Sequence, residues 1–254
     1  MLAQLAEDGI SAMPGPLSPI AVRLRDKPSL AKHPLFIEGA VEVQDEGSQL
    51  LGFLLEPKRG EMVVDFCAGA GGKTLLLGAL MRNTGRLYAY DVSDKRLANL
   101  KPRLARSGLS NVHPARIEHE RDTKIKRLAG KADRVLVDAP CSGLGTLRRN
   151  PDLKWRQDEA SVAELTVKQL SILEAASNMV RPGGRLVYAT CSLLTAENDH
   201  IVTAFLAKHP DFTMVPASAI LAKQGIAFDG DILRLLPNQH NTDGFFAAAL
   251  EKKA

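Results

Sequence analysis

The stretch that decides the fold is Met62-Val63-Val64-Asp65-Phe66, Cys67-Ala68-Gly69-Ala70-Gly71-Gly72, the helical run opening at Lys73-Thr74, and Arg86-Leu87-Tyr88-Ala89-Tyr90-Asp91. It reads as strand, tight loop, helix, strand. Glycines let a loop bring its backbone N–H groups close to a ligand at a helix N-terminus. Asp91, 22 residues after Gly69, ends the second strand where a ribose would offer its hydroxyls. A nucleoside-bearing ligand is the first expectation; the bland alternative is a plain strand-to-helix turn.

What the loop lacks narrows the choice. A dinucleotide fingerprint counted from Gly69 needs a small third residue at position 74, and Thr74 stands there. A phosphate-binding P-loop ending at Gly72-Lys73-Thr74 needs glycine at position 67, where the chain has Cys67. NAD and ATP are therefore disfavoured and S-adenosylmethionine remains, its ribose on Asp91 and its carboxylate on the loop amides.

Outward from this unit the alternation continues. Asp94 is expected to cap a basic helix to Ser107; Val112 to Ile117 is a weak third strand and Arg134 to Asp138 a strong fourth. A helix from about Glu159 to Val180 precedes the strand Arg185 to Thr190. Strands alternating with helices of this length predict an α/β fold, a Rossmann-like, mostly parallel sheet covered on both faces. Ile232 to Leu236 and Phe245 to Leu250, joined by a polar loop, read as an antiparallel pair closing the C-terminal sheet edge. Upstream, Ile37 to Val43 alternates like a strand, and Asp45 is placed to cap an apolar helix running to Leu55. Met1 to Pro34 is broken by Pro14, Pro16, Pro19, Pro28 and Pro34 and reads as short strands and turns.

At 254 residues and 45% hydrophobic the chain can bury a full core. No apolar run approaches the roughly 18 residues of a membrane span and no secretory leader is visible, so a cytoplasmic, membrane-free protein is expected. The net charge of +4 is modest but unevenly spread. Arg121 to Arg156 holds ten Lys/Arg against four Asp/Glu, and Arg82 to Arg106 seven against two. Both basic stretches flank the ligand loop, which suits a polyanion better than scattered solvated faces do.

In such sheets ligands bind beyond the carboxyl ends of the strands. There stand Asp138-Ala139-Pro140-Cys141-Ser142-Gly143 after the fourth strand and Thr190-Cys191-Ser192 after the fifth. A lone cysteine is usually an inert small hydrophobe, but two at neighbouring strand ends suggest chemistry. C5 of a pyrimidine is a poor nucleophile, and a thiolate added at C6 makes it able to attack the methyl of a sulfonium. Free thiols titrate near pH ~8.5, so the attacking one needs a cation such as Lys73 nearby.

These residues carry a resemblance. Asp65-Phe-Cys-Ala-Gly-Ala-Gly-Gly-Lys-Thr74, Asp138-Ala-Pro-Cys-Ser-Gly143 with Arg148-Arg-Asn-Pro-Asp152, Tyr188-Ala-Thr-Cys-Ser192 with Glu197-Asn198, and Asp243-Gly-Phe-Phe246 together resemble the Sun-type (Nop/Sun, RsmB-like) RNA cytosine-5 methyltransferases. Gln44 to Ser48 resembles the block just upstream, so the likeness covers about residue 36 to the C-terminus. It implies a class I S-adenosylmethionine-dependent methyltransferase acting on ribosomal RNA or tRNA as a monomer, with no metal. Cys191 matches the nucleophile that attacks C6, Cys141 the cysteine that assists product release, and Asp138 the acid at the cytosine's edge, with Lys73 counted among the catalytic residues. Cys67, Ala68, Gly69, Ala70, Gly71, Gly72, Lys73, Asp91, Arg96 and Asp138 match the cofactor site. Ala70 stands where the family has Pro, and the acid beside the adenine falls on Glu118, Glu120 or Asp122 without clear register. Residues 1–60 read as the remnant of the family's RNA-binding module and 61–254 as the catalytic domain. The nearest rival is an exocyclic-amine nucleic-acid methyltransferase, but Cys141 stands where that class places an aromatic. Arg148, Arg149, Lys154 and Arg156 are expected to meet phosphates.

Overall fold

A computed structural model describes residues 1–254. The N-terminal segment holds a short helix α1 (Leu2–Glu7), an antiparallel pair β1 (Ala12–Pro14) and β2 (Val22–Leu24), and a one-turn helix α2 (Pro34–Ile37). The strand expected over Ile37 to Val43 does not form. His33 caps a turn that starts at Pro34, no neighbouring strand offers a ladder, and Ile37 and Val43 stay exposed. The alternation there was a local pattern without a partner.

Helix α3 (Glu46–Leu55) opens at Asp45, whose carboxylate accepts the Gly47 N–H at 2.9 Å. Leu50, Leu51, Leu54 and Leu55 are fully buried, so α3 shares one core with the rest of the sheet although it lies within residues 1–60. Glu46 ties the earlier hairpin to it, accepting from Leu17 N–H, Ser18 N–H and Arg23 Nε.

The sheet then follows: β3 (Met62–Asp65), α4 (Gly72–Leu80), β4 (Arg86–Asp91), α5 (Asp94–Ser107), β5 (Val112–Arg116), α6 (Thr123–Lys126), β6 (Ala132–Asp138), α7 (Glu159–Ser177), β7 (Val180–Thr190), α8 (Asp199–Lys208), β8 (Phe212–Val215), α9 (Ala217–Ala222), β9 (Leu233–Leu235), α10 (Pro237–His240) and β10 (Phe245–Lys252). Ser93, one residue before the expected Asp94, caps α5 by accepting from Arg96 N–H. The strand order is β5-β4-β3-β6-β7-β10-β8, and the first five are parallel. This is the Rossmann-like arrangement with an antiparallel C-terminal edge. The edge is richer than its sequence suggests: β10 lies inside, between β7 on one side and β8 and β9 on the other. One-turn α10 interrupts the loop expected to be irregular.

Strand residues alternate between two apolar layers. Val187, Ala189 and Ala247 face α3, α4 and α9, whereas Leu186, Tyr188 and Phe246 face α7 and α8. The central parallel strands are thus buried on both faces, and their shared direction puts the carboxyl ends of β3, β4, β6 and β7 along one rim. No helix is long and apolar enough to cross a membrane.

Candidate active site

Along that rim the strands deliver Asp65, Asp91, Asp138 and, one residue past Thr190, Cys191. They surround a cavity of about 380 Å³. A larger void of about 790 Å³ lies in the seam between the N-terminal segment and α4–α5 and contains none of the three thiols.

One half of the smaller cavity is built by the glycine loop. Gly69 and Gly71 have positive φ, and a Cβ on Gly71 would stand 2.1 Å from the Leu100 side chain. Asp91 accepts the Gly69 N–H at 2.9 Å on one oxygen and the Ser93 N–H at 2.8 Å on the other, with Arg96 at 3.5 Å. The Gly69 and Gly71 amides are therefore used inside the loop, Gly71 donating to Ala68 C=O, and the first-turn amides of α4 are the ones left for a ligand. Asp65 sits fully buried behind the loop. Thr74 Oγ1 donates to its Oδ2 at 2.6 Å, its Oδ1 has no partner, and burial pushes its pKa up to about 7. Val92 and Ile117 give this half apolar walls.

An orphaned carboxylate oxygen, free helix N-terminal amides, an acid at the end of β4 and apolar walls fit an amino-acid nucleoside. S-adenosylmethionine has the ammonium, carboxylate, ribose and adenine to meet them in turn.

The other half carries the thiols. Cys141 Sγ and Cys191 Sγ are 3.3 Å apart, and Lys73 Nζ donates to Asp138 Oδ2 at 2.7 Å. The hydrogen bond from the Cys141 thiol, set against burial, holds Cys191 below the ordinary thiol range; the Lys73 ammonium helps and the Asp138 carboxylate opposes. The same hydrogen bond, with burial added, pushes Cys141 well up. For Lys73, burial works toward the neutral amine, but Asp138 as charge and acceptor outweighs it and raises the pKa. Burial, then Asp138, Asp65 and Asp91, drive the third thiol, Cys67, well up and leave it unreactive. The two thiols thus differ in acidity, Cys191 held low and Cys141 pushed up.

Behind the thiols a buried carboxylate fastens both loops together. Glu197 accepts the Ser142 N–H at 2.8 Å, the Ser142 hydroxyl at 2.5 Å, the Ser192 hydroxyl and the Gln169 amide at 2.9 Å. Ser142 and Ser192 each follow a cysteine. The Gly145 N–H donates to Cys191 C=O at 2.9 Å, and the Gly244 N–H to Gly145 C=O at 2.7 Å.

A family profile described as "16S rRNA methyltransferase RsmB/F" matches residues 52–251. The chain belongs to this family. It is 38% identical over 261 residues to the "Probable ribosomal RNA small subunit methyltransferase B" of Bacillus subtilis (strain 168), matching 100% of this chain and 57% of that protein. The corresponding Shewanella oneidensis protein is 37% identical and matched over 99% of this chain and 56% of its own length. The chain therefore spans little more than half the length of these curated relatives. Among solved structures, "Crystal Structure of PH0851" superposes with a TM-score of 0.91 at 37% identity, covering 99% of this chain and 56% of that one. "The crystal structure of NSun6 from Pyrococcus horikoshii with SFG" superposes at 0.78 and 30%, covering 92% and 60%.

Of the residues matched to the RsmB/F family in sequence, Lys73, Asp138, Cys141, Cys191, Cys67, Ala68, Gly69, Ala70, Gly72, Asp91 and Arg96 all line the one cavity. Gly71 does not; it is the turn residue packed on Leu100. Among the three candidate acids Glu120 lines the cavity, with Ser171 Oγ donating to it at 2.8 Å. Asp122 instead caps α6, and Glu118 points outward to Arg116. Sequence reasoning passed over Asp65 as a site residue and gave Glu197 no role; a buried acid before a glycine loop and the Glu-Asn pair after Thr-Cys were the available signals. It also gave Arg148 and Arg149 wholly to phosphates. Both pair with buried Asp243 and with Asp45, so they are spent largely on pinning the loop.

Proposed function

We propose that this chain transfers a methyl group from S-adenosylmethionine to C5 of a cytosine in RNA. Its relatives' names direct the reading to ribosomal RNA, with tRNA as the second substrate to test. The observation that carries it is the thiol pair, 3.3 Å apart, at the wall shared with the Lys73–Asp138 pair. An enzyme methylating an exocyclic amine has no use for two such thiols.

Bound S-adenosylmethionine supplies an electrophilic methyl. Asp91 would hold its ribose hydroxyls, Asp65 its ammonium and Glu120 the adenine end. Cys191 thiolate adds to C6 of a cytosine held at its edge by Asp138, and the C5–C6 π electrons move so that C5 becomes nucleophilic. After methyl transfer C5 bears both hydrogen and methyl. A base, water or Cys141 in its thiolate form, takes that proton; the C–H electrons re-form the C5–C6 double bond, the C6–S bond breaks, and Cys191 leaves as thiolate, with Cys141 standing beside the departing sulfur. Lys73 keeps Asp138 oriented and favours the thiolate.

Residues 1–60 are read as a small N-terminal segment that meets RNA, its helix α3 built into the catalytic core, and the chain as a cytoplasmic monomer. The test uses RNA bearing tritium at C5 of cytosine: C5 methylation releases tritium to water, whereas amine methylation retains it. Asp91→Ala should weaken S-adenosylmethionine binding by about 1 to 3 kcal/mol in calorimetry. Methyl incorporation with the tritium retained would overturn the assignment.

A further inference from the structure

Trp155, the only tryptophan in the chain, is 81% exposed. It ends a turn of 3-10 helix, Pro151–Trp155, on the loop that begins at Cys141. That loop is held firmly. Arg148 and Arg149 anchor it to Asp243 and Asp45, Asn150 Nδ2 donates to Thr146 Oγ1 at 3.2 Å, and Leu153 turns inward against Gly143, two residues past Cys141. The indole is therefore displayed from an ordered support on the loop that begins at Cys141. Lys154 Nζ lies 4.8 Å from the centre of its ring and has no carboxylate within salt-bridge distance, and Arg156 next to it is 70% exposed. A large aromatic face flanked by cations presents a π-surface and positive charge together.

We infer that Trp155 is a stacking platform for an unpaired base of the RNA, next to the cytosine that enters the cavity, with Lys154 meeting the adjoining phosphate. A cytosine can receive a thiolate on its ring face only after leaving its stack, and its neighbour then loses a stacking partner. An aromatic face at the rim replaces that partner whatever the base, because every base has a π-face. The charge favours RNA over a protein partner, since an apolar protein patch would have to desolvate Lys154 against the ring. The inference rests on the RNA reading above.

The single tryptophan makes the test direct. A fluorescein-labelled RNA hairpin with the target cytosine in its loop is titrated into the full chain, with binding followed by anisotropy of the label and stacking by quenching of tryptophan emission. The two curves should coincide. Trp155→Ala should weaken RNA binding about tenfold with an unchanged salt slope, and Trp155→Phe should recover most of the loss. Lys154→Gln should instead flatten the salt slope by nearly one phosphate contact. RNA binding without quenching, with Trp155→Ala binding like wild type, would overturn the platform and leave the methyltransferase reading standing. Wild-type protein that binds no RNA would overturn both.

Discussion

The sulfurs of Cys141 and Cys191 lie 3.3 Å apart although 50 residues separate them in the chain. The hydrogen bond between the two thiols, set against burial, holds Cys191 below the ordinary thiol range and, with burial added, pushes Cys141 up, so the two cysteines differ in chemistry despite similar burial. Cys191→Ala should abolish methyl transfer and leave no covalent RNA adduct. Cys141→Ala should still attack and methylate but fail to release, so that a protein–RNA adduct survives denaturing electrophoresis. Adduct in the first variant and none in the second would exchange the two roles.

Asp65 gives a pH dependence whose sign is fixed by its raised pKa. The folded value is about 7 against an ordinary 3.8, so the fold favours the protonated acid. The stability this contributes is complete below about pH 4 and is lost as pH rises through about 7, a change of roughly 4 kcal/mol at most. Asp65→Asn carries no charge to bury. Relative to wild type it should therefore gain stability between pH 5 and pH 8, read as the shift in urea midpoint at each pH. An unchanging difference across that range would show that Asp65 does not titrate there.

Glu197 satisfies four donors from three segments, so its removal strands them in the interior. Glu197→Ala should lose about 3 kcal/mol in urea unfolding, the cost of several buried donors left partly unpaired. Because the lost bonds connect the segments after each cysteine, adduct formation should slow more than S-adenosylmethionine binding weakens. Glu197→Gln, of the same shape but with an amide facing a donor, should fall between. Equal losses in adduct rate and cofactor affinity would make Glu197 a general packing residue.

Arg149 and Lys154 should separate cleanly. Asp243 is fully buried while Arg149 is half exposed, so Arg149→Ala should cost about 1 to 2 kcal/mol of stability, with solvent on the outer face limiting the loss, and change the salt dependence of RNA binding little. Lys154→Ala should do the reverse. A steep fall in the salt slope with Arg149→Ala would return that side chain to the phosphates.

The rim of the sheet was legible because its signals are local. Alternating strands, a glycine loop at a helix start and paired Pro-Cys and Thr-Cys turns each declare themselves within ten residues or so. Ile37 to Val43 misled for the complementary reason: alternation describes a strand only where a neighbour exists, and none is near. The pairing of Arg149 with Asp243 crosses 94 residues, and a basic run looks the same in sequence whether it is paired or free. Glu197 was visible as part of a motif, but its purpose lies in Ser142, on another strand's loop.

Strand β10 is the last strand in chain order and yet lies inside the sheet, between β7 and β8. Phe246 pairs with Thr190, the residue before Cys191, and the turn entering β10 supplies Asp243 and Gly244 to the loop beyond Cys141. During synthesis, then, the two thiol loops have no fixed spacing until residues 243–252 have emerged and been threaded into place. A nascent chain would carry both cysteines and the cofactor loop without the assembled rim, which forms only once residues 243–252 have been made and paired. Stalled or clipped chains missing this strand should accordingly be inert toward RNA rather than partially active.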